Sequence, residues 1–418
     1  MGILLEDIQR AAQVLHGRIL RTPLVYSPTF SRLFDAEVYL KLENLQKTGS
    51  FKIRGATYKI FRRRGDLGPK GVVAASAGNH AQGVALAARQ AGVPALIVMP
   101  EWASLTKQEA TRSYGGHILL HGRTLGESLE KAKELRERGY TFIHPYDDAD
   151  IITGQGTIGL EILEDCPDVQ AVLVPIGGGG LIAGIASAIK VVRPQTEIIG
   201  VQAEVCPSAW QALREDRVVR VEGSQSIADG ITVKELGYEP FATIRSSVSQ
   251  VVLVDEEHIA EAILLLLERK KVLAEGAGAV PLGALLMGRL RWPSGAKIVL
   301  VVSGGNVDSP LLGRILTKGL VKGGRVARLT LELPDVPGSL AGLLAVVASQ
   351  GANVLHIAHN RHVPHLPIHV TLVTLEVETR GFAHAESLLS AVRLSGYTLV
   401  ESSPTEGNRL SGAFLTKS

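Results

Sequence analysis

The stretch AVLVPIGGGGLIAGIASAIKVV, residues 171–192, decides the fold class. It opens with a continuous run of apolar, mostly β-branched residues, as expected for a strand buried on both faces of a parallel sheet. Four consecutive glycines follow, and then an alanine- and isoleucine-rich segment long enough for a helix. A strand that passes through a glycine turn directly into a helix is the building unit of a layered α/β protein.

The same alternation of apolar strands and alanine- or leucine-rich helices continues to about residue 320. Because most of these strands are apolar throughout, we expect a parallel sheet with helices on its faces. Near residue 321 the pattern changes, and KGLVKGGR (318–325) has the glycine and lysine content of a linker. The other predicted strands of this first part are 38–43, 72–76, 95–99, 117–120, 198–203, 251–254 and 297–303.

Beyond the linker the order of the predicted elements is β-α-β-β-α-β, which is that of a ferredoxin-like unit. These elements are strand 326–333, helix 338–350, strand 353–362, strand 368–378, helix 382–395 and strand 396–402. The predicted domains are therefore 1–320, with a small lobe at about 41–145 nested within it, 325–402, and a loose tail at 403–418.

Composition restricts the class of protein. The net charge is +3 with acidic and basic residues interspersed, so no nucleic-acid partner is expected. Two cysteines among 418 residues argue against a disulfide framework. No uninterrupted apolar run reaches the roughly 18 residues of a membrane span. The N-terminal segment resembles an amphipathic helix more than a signal peptide, because charges interrupt it early. These features favour a cytoplasmic protein with no membrane partner.

Three glycine-containing junctions follow predicted strands: SAGNHAQG (76–83), GGGGL (177–181) and SGGN (303–306). Ligands of parallel sheets bind at the carboxyl ends of strands. At 177–181 the backbone N–H groups and the start of a helix favour an anion, and we interpret this junction as a phosphate site because a turn alone needs fewer glycines. Neither a dinucleotide fingerprint nor a Walker loop is present there.

A lysine lies at the start of another predicted helix, in KTGSFKIRGA (47–56). We expect Ser50 to be the helix N-cap. Lys52 would then occupy the first helical turn, where the helix dipole disfavours its ammonium form. An amine with a lowered pKa is what Schiff-base chemistry requires. Lys47 lacks this placement and is expected to be a surface residue. A phosphate cradle together with an activated lysine suggests pyridoxal phosphate.

Six motifs occur in an order that resembles the fold-type-II pyridoxal-phosphate enzymes, and among them the threonine dehydratase (threonine ammonia-lyase) family. The motifs are SFKIRGA, SAGNHAQG, GQGTIGLEI, GGGGL, IADGI and SGGN, within about residues 5–320. The implied catalytic domain is α/β and tryptophan-synthase-β-like, with two lobes built on parallel sheets. LELPDVPGSLAGLL (331–344) resembles an ACT regulatory domain, which has the βαββαβ ferredoxin-like fold.

The resemblance implies a role for individual residues. The implied catalytic residues are Lys52, which forms the Schiff base and removes the Cα proton, and Ser76. The implied cofactor-binding residues are Phe51, Lys52, Asn79, Gly177, Gly178, Gly179, Gly180, Leu181 and Ser303. The implied substrate-binding residues are Ser76, Gly78, Asn79, His80, Gly230 and Glu275. In the ACT domain the implied effector contacts are Asp335, Gly338, Ser339 and Leu340.

Two residues favour β-elimination. Ser303 would face the pyridine nitrogen, and a neutral hydroxyl there makes the ring a weaker electron sink than a carboxylate would. Ala77 stands where related serine racemases carry a second serine. We therefore expect threonine to be dehydrated and deaminated to 2-oxobutanoate and ammonia, and serine to pyruvate. The alternatives are a serine racemase, a serine-specific dehydratase, a β-replacement synthase, or a catalytically silent amino-acid sensor.

No metal site is predicted. Glu204 matches the first ligand of the racemase metal site, but VCPSAW after it supplies no acidic partner; the carbonyl of Ser208 leaves a monovalent cation as an open alternative. A histidine cluster at 356–369 contains His356, His359, His362, His365 and His369. We interpret it as a solvated hairpin, because residues three apart on a strand face opposite sides.

The remaining expectations concern regulation and assembly. Isoleucine is the expected effector, with valine, serine or no effector as alternatives. A homodimer or homotetramer is expected from the resemblance. Cys166 and Cys206 are expected to be inert, and Asp229 to anchor a loop near the cofactor.

Overall fold

The computed structural model describes residues 2–364 and 366–403. His365 and, apart from its first residue, the tail predicted at 403–418 lie outside the described residues. The chain divides into two compact units, Met1–Asp308 and Ser309–Ser418. The helix Ser309–Lys322, which overlaps the predicted linker, groups with the C-terminal unit.

The first unit contains twelve of the described α-helices and ten strands. Its helices are α1 Leu5–Leu15, α2 Pro28–Phe34, α3 Lys52–Arg62, α4 Asn79–Ala91, α5 Leu105–Ser113, α6 Leu125–Glu137, α7 Ala149–Asp165, α8 Gly180–Val192, α9 Ser208–Glu215, α10 Tyr238–Ser247, α11 Glu256–Lys270 and α12 Gly276–Leu286. Its strands are β1 Leu24–Tyr26, β2 Glu37–Leu42, β3 Val72–Ala75, β4 Ala95–Met99, β5 His117–Leu120, β6 Thr141–Phe142, β7 Ala171–Pro175, β8 Glu197–Ala203, β9 Gln250–Val254 and β10 Lys297–Val302.

Two sheets organise this unit. The larger has the order β1-β2-β10-β7-β8-β9, and only the β1–β2 pair within it is antiparallel. The smaller has the order β5-β4-β3-β6 and is parallel throughout. Strands β3, β7 and β10 are almost completely buried, which explains their continuous apolar sequences. The predicted α/β architecture with two parallel-sheet lobes is confirmed.

Helices α3 and α7 cross at a pair of glycines. A Cβ atom added to Gly154 would lie 2.6 Å from the Cα atom of Gly55, so neither position accepts a side chain without displacing a helix. This close approach holds the start of α3 against α7. It therefore helps to fix the backbone position of Lys52, the first residue of α3.

A buried ion cluster, formed by Lys41, Glu43, Arg54 and Glu161, connects β2, α3 and α7. The Arg54 side chain is fully buried and donates from Nε and Nη2 to the two oxygens of Glu43, each at 2.8 Å. Its Nη1 atom donates to Glu161 at 2.6 Å, and Lys41 donates to the same carboxylate at 2.5 Å. Burial opposes the charge of Arg54, but the two carboxylates outweigh it and raise the pKa of the guanidinium. Two cations and two carboxylates thus compensate one another.

The second unit has the predicted βαββαβ order, preceded by one helix. Its elements are α13 Ser309–Lys322, β11 Val326–Pro334, α14 Ser339–Ser349, β12 Asn353–Asn360, β13 Val370–Glu378, α15 Phe382–Leu394 and β14 Thr398–Ser403. The sheet order is β12-β13-β11-β14, and all its pairs are antiparallel. Apolar side chains of β11, β13, α14 and α15 form its core. The ferredoxin-like prediction is confirmed.

The surface of β12 is solvated, and its His356 and His359 are exposed. Within residues 2–364 and 366–403, no group of three or more His, Cys, Asp or Glu side chains is placed to hold a metal ion. Over the same residues, none of the helices has both the length and the apolar character that crossing a bilayer requires.

Candidate active site

A cavity of about 590 Å³ in the first unit brings most of the predicted site residues together. Ligand cavities of proteins have volumes of about 300–1,000 Å³. Three junctions that the sequence singled out border it: the start of α4 after β3, the glycine turn between β7 and α8, and the loop after β10. The predicted residues that line it are Phe51, Lys52, Ser76, Gly78, Asn79, His80, Gly177, Gly178, Gly179, Gly180, Leu181, Gly230, Glu275 and Ser303.

Lys52 projects into this cavity, where its Nζ atom donates to the carbonyl of Pro145 at 2.9 Å. Burial lowers the pKa of Lys52 to about 8, and the charge of Glu275 partly opposes that shift. The sequence analysis predicted a lowered pKa for Lys52, and the structure agrees with that direction. The main cause, however, is desolvation and not the helix dipole. By contrast, Lys47 is exposed and donates to the carbonyl of Arg18 at 2.6 Å.

The expected capping role of Ser50 is wrong. Phe51 occupies the N-cap position of α3, and no side chain caps that helix end. Ser50 is instead fully buried in a β-bridge with Gly304, and its hydroxyl lacks a hydrogen-bond partner. Phe51 N also donates to the Ser303 carbonyl at 3.1 Å. Backbone pairing with the loop after β10, rather than a side-chain cap, therefore positions the start of α3.

The four glycines of the β7–α8 turn are enclosed by neighbouring residues. A Cβ atom on Gly178 would lie 2.2 Å from the ring of Tyr146, and one on Gly180 would lie 2.8 Å from the Tyr146 carbonyl. Gly179 has a φ of +95° and is the N-cap residue of α8. Packing therefore accounts for glycines that the sequence had attributed to phosphate alone. The anion argument still holds for the helix end, since no side chain caps the first N–H groups of α8.

A second uncapped helix end borders the same cavity. Helix α4 begins at Asn79, after Gly78 as N-cap residue, and no side chain caps it. The Ser76 hydroxyl accepts a hydrogen bond from Gly78 N at 3.1 Å, which fixes the turn before the helix. The His80 ring instead faces the carbonyl of Ile143 at 2.9 Å. Burial lowers the pKa of His80 to about 3, so this ring is neutral.

Glu275 is a buried carboxyl group on the cavity wall. It precedes α12 without capping it, and Asn79 Nδ2 donates to its two oxygens at 2.8 and 3.0 Å. Burial raises the pKa of Glu275 to about 7, while the hydrogen bond from Asn79 opposes the shift. The geometry thus makes Glu275 part of the cavity wall and not a helix cap.

Three residues of the cavity were missed by the sequence interpretation. Tyr146 packs on the glycine turn, and its ring lies edge-on to His144 at 4.8 Å between centroids. Lys107 lies 3.6 Å from Asp229 and 3.4 Å from Asp308 beside the cavity. Asn306 closes the SGGN motif and could have been singled out there. Nothing in the local sequence distinguishes Tyr146 or Lys107.

The remaining candidates lie outside this cavity. Glu204 is exposed, and the Ser208 hydroxyl donates to the Val233 carbonyl at 2.7 Å. Both cysteines are buried and free, and burial raises their pKa values, for Cys166 to about 11.

In the second unit the predicted effector loop, Asp335 to Leu340, precedes and opens α14. Its Asp335 carboxylate accepts hydrogen bonds from Arg361 Nε at 3.0 and 3.1 Å.

Comparison with known proteins identifies the chain's family. The profile of the family described as pyridoxal-phosphate dependent enzyme matches residues 15–304. The chain belongs to that family. The ACT domain profile matches residues 327–393 of this pyridoxal-phosphate enzyme. The membership and the ACT domain that the motifs predicted are thereby confirmed.

Curated relatives extend over both domains of the pyridoxal-phosphate enzyme. It is 49% identical to an L-threonine ammonia-lyase of Thermotoga maritima over 94% of its own length and 98% of the relative's. It is 48% identical to an L-threonine ammonia-lyase of Geobacter sulfurreducens, over 93% and 97% of the two chains.

Solved structures resemble the catalytic part. A threonine deaminase of T.th. is 41% identical, with a TM-score of 0.69 over 73% of this chain and 99% of that one. A maize serine racemase is 34% identical, with a TM-score of 0.72 over 77% and 98%. Because dehydratase and racemase structures match about equally well, the fold does not distinguish the two reactions.

The cavity fits pyridoxal phosphate. An uncapped glycine helix end suits the phosphate, a primary amine of lowered pKa suits the aldehyde, and the Ser303 hydroxyl is available for the ring nitrogen. All three border the same cavity.

Proposed function

We propose that this enzyme dehydrates and deaminates L-threonine to 2-oxobutanoate and ammonia, and L-serine to pyruvate and ammonia. The observation that carries this proposal is the convergence of the Lys52 amine, the uncapped start of α8 and the Ser303 hydroxyl on one cavity. The names of relatives that align over both domains support the choice of threonine.

Bound pyridoxal phosphate would supply an electron sink for the electron pair left on the substrate Cα atom. The N–H groups at the start of α8 would hold its phosphate, and Asn79 its ring hydroxyl. The N–H groups at the start of α4, beside Ser76, would hold the substrate carboxylate. Lys52 would then accept the Cα proton at Nζ, since a neutral amine is needed for a general base.

Elimination is favoured over racemisation at two positions. Ser303 offers a neutral hydroxyl to the ring nitrogen, which limits electron withdrawal into the ring. Ala77 has no group that could return a proton on the opposite face of the substrate. A serine racemase would need a different donor on that face, whereas a serine-specific dehydratase is distinguished only by its substrate.

Regulation and assembly extend the proposal. The ACT domain would bind an amino-acid effector, with isoleucine as the candidate, through Asp335, Gly338, Ser339 and Leu340. Homo-oligomerisation, a cytoplasmic location and the domain limits 1–320 and 325–402 remain predictions from the sequence.

The decisive measurement is product formation by the purified enzyme from L-threonine and from L-serine, with and without isoleucine. We expect 2-oxobutanoate from threonine, pyruvate from serine, and lower activity with isoleucine. D-Serine as the main product, or a requirement for a thiol co-substrate, would contradict the proposed reaction. Absence of a visible cofactor absorption band would instead support the sensor alternative.

Capture of the cofactor should depend on pH through Lys52. A neutral amine attacks the aldehyde, and the pKa of about 8 makes the neutral form abundant above that pH. The rate at which cofactor-depleted enzyme takes up pyridoxal phosphate should therefore rise with pH, with a midpoint near 8. Because the Glu275 charge raises the pKa of Lys52, Glu275→Gln should move the midpoint to lower pH. A midpoint near 10.5, the ordinary lysine value, would contradict this prediction.

A further inference from the structure

A directed chain of hydrogen bonds runs along the cavity wall through two amide side chains. Asn306 Nδ2 donates to the Thr48 carbonyl at 2.8 Å and to Asn79 Oδ1 at 2.7 Å. Asn79 Nδ2 donates in turn to the two oxygens of Glu275. The chain thus joins the loop before α3, the loop after β10, the start of α4 and the start of α12.

The direction of this chain is set at its first member. The Thr48 carbonyl can only accept, so it must face the nitrogen of the Asn306 amide rather than its oxygen. The second hydrogen on that nitrogen then points at Asn79, which must present its oxygen. A carboxylate at Glu275 requires the opposite edge of the Asn79 amide to be the nitrogen. Both ends therefore specify the same orientation of Asn79.

Packing confines the end members of this chain. Gly49 has a φ of +71°, and a Cβ atom there would lie 2.3 Å from Asn306 Oδ1. A Cβ atom on Gly304 would lie 2.3 Å from Glu275 Oε1. A further hydrogen bond, from Gly305 N to the Gly49 carbonyl at 2.9 Å, holds the two loops together. Asn306 itself is exposed, so its two hydrogen bonds and the close approach of Gly49, rather than burial, direct its amide.

We propose that Asn306 is a positioning residue for the reaction: its hydrogen bond to Asn79 Oδ1 keeps the Asn79 amino group on the cavity side of the amide. One hydrogen of Nδ2 would then be shared by the two Glu275 oxygens, and the other would serve the cofactor's ring hydroxyl. This inference rests on the proposed function, in which Asn79 binds that oxygen. A flipped Asn79 amide would turn a carbonyl oxygen toward another oxygen, and the donor would be lost. Asn306 itself need not touch the substrate or the cofactor.

Two substitutions separate positioning from packing. Asn306→Asp keeps the shape but replaces both donors by acceptors, so it should oppose the orientation of Asn79 that Glu275 favours and populate the flipped one. Asn306→Ala removes the constraint without imposing the opposite one. We expect the dissociation constant of pyridoxal phosphate to rise about 10-fold for Asn306→Ala and further for Asn306→Asp, as for loss of one or more hydrogen bonds. If Asn306 only filled space, Asn306→Asp, which has the same shape as asparagine, should weaken cofactor binding less than Asn306→Ala.

The same pair of substitutions in an Asn79→Ala background completes the test. If Asn306 acts through Asn79, the difference between its two variants should disappear there, because no amide remains to be flipped. If the added negative charge of Asn306→Asp, or its repulsion from the Thr48 carbonyl, caused the weaker cofactor binding, the difference between the two variants would persist in the Asn79→Ala background. Asn44→Ala is the matched control, since Asn44 Nδ2 donates to the Leu273 carbonyl at 3.0 Å outside the cavity.

The readouts are the cofactor dissociation constant, the absorption maximum of the bound cofactor, and kcat and KM for threonine. An Asn306→Asp variant no worse than Asn306→Ala, or an equal difference in the Asn79→Ala background, overturns the proposal. Cofactor binding tests the positioning role even if the wild-type enzyme forms no 2-oxobutanoate. Failure of the wild-type enzyme to form 2-oxobutanoate would count against the proposed function and not against the positioning role.

Discussion

Lys52→Ala should lower 2-oxobutanoate release from L-threonine by at least about 1,000-fold, because it removes both the proposed covalent anchor of the cofactor and the proposed general base. The substitution should also abolish the Schiff-base absorption band of the bound cofactor. Product release and the visible spectrum of the purified variant are the two measurements. Because the glycine turn would still hold the phosphate, weak noncovalent binding of the cofactor should remain.

Lys47→Ala is the control for this experiment. Lys47 lies five residues earlier, is exposed, and does not line the cavity. Its loss should leave the rate of product formation within about twofold of the wild type, as for other surface substitutions. A Lys52→Ala enzyme with near wild-type turnover would exclude the mechanism.

Arg54→Met should destabilise the catalytic unit by about 3–5 kcal/mol, the cost of removing one partner from a buried ion pair. Methionine fills much of the volume but leaves the carboxylates of Glu43 and Glu161 with only Lys41 as a compensating charge. Calorimetric unfolding of the cofactor-loaded enzyme measures the effect as a lower transition temperature. Arg54 lies two residues from Lys52 on the same helix, so cofactor binding should weaken as well.

Arg62→Met is the matched control on the same helix. The Arg62 side chain is 44% exposed and pairs with Asp150 at the surface, so its removal should cost at most about 1 kcal/mol. Equal transition temperatures for the two variants would show that the ion cluster adds nothing particular to stability.

Local patterns predicted the fold well. The runs at β4 and β5 were predicted to the residue. For β4 the reason is that a strand buried on both faces is apolar along its length, whereas both ends of β5 are exposed. The two-residue strand β6 was missed, since so short a segment carries no periodicity. The C-terminal elements were predicted within three residues at each end, because alternation along β11 and β13 marks their buried faces.

Prediction of the site was strongest where a motif contained the residue itself. Lys52, Asn79, the glycine turn and Ser303 were all found in this way, and they line one cavity. Tyr146 escaped notice because its role depends on contact with glycines more than thirty residues further along the chain. Arg54 was present in a quoted motif, yet its partners Glu43 and Glu161 come from other elements.

The sequence by itself determined the α/β and ferredoxin-like classes, the order of the motifs and the choice of Lys52 as the proposed reactive amine, because these depend on residue type and local spacing. Only the tertiary structure decided why the pKa of Lys52 is lowered, what encloses the glycine turn, and which way the Asn79 amide points. Desolvation, close packing and hydrogen-bond direction arise between segments that are distant in the chain. They exist only once folding has brought those segments together.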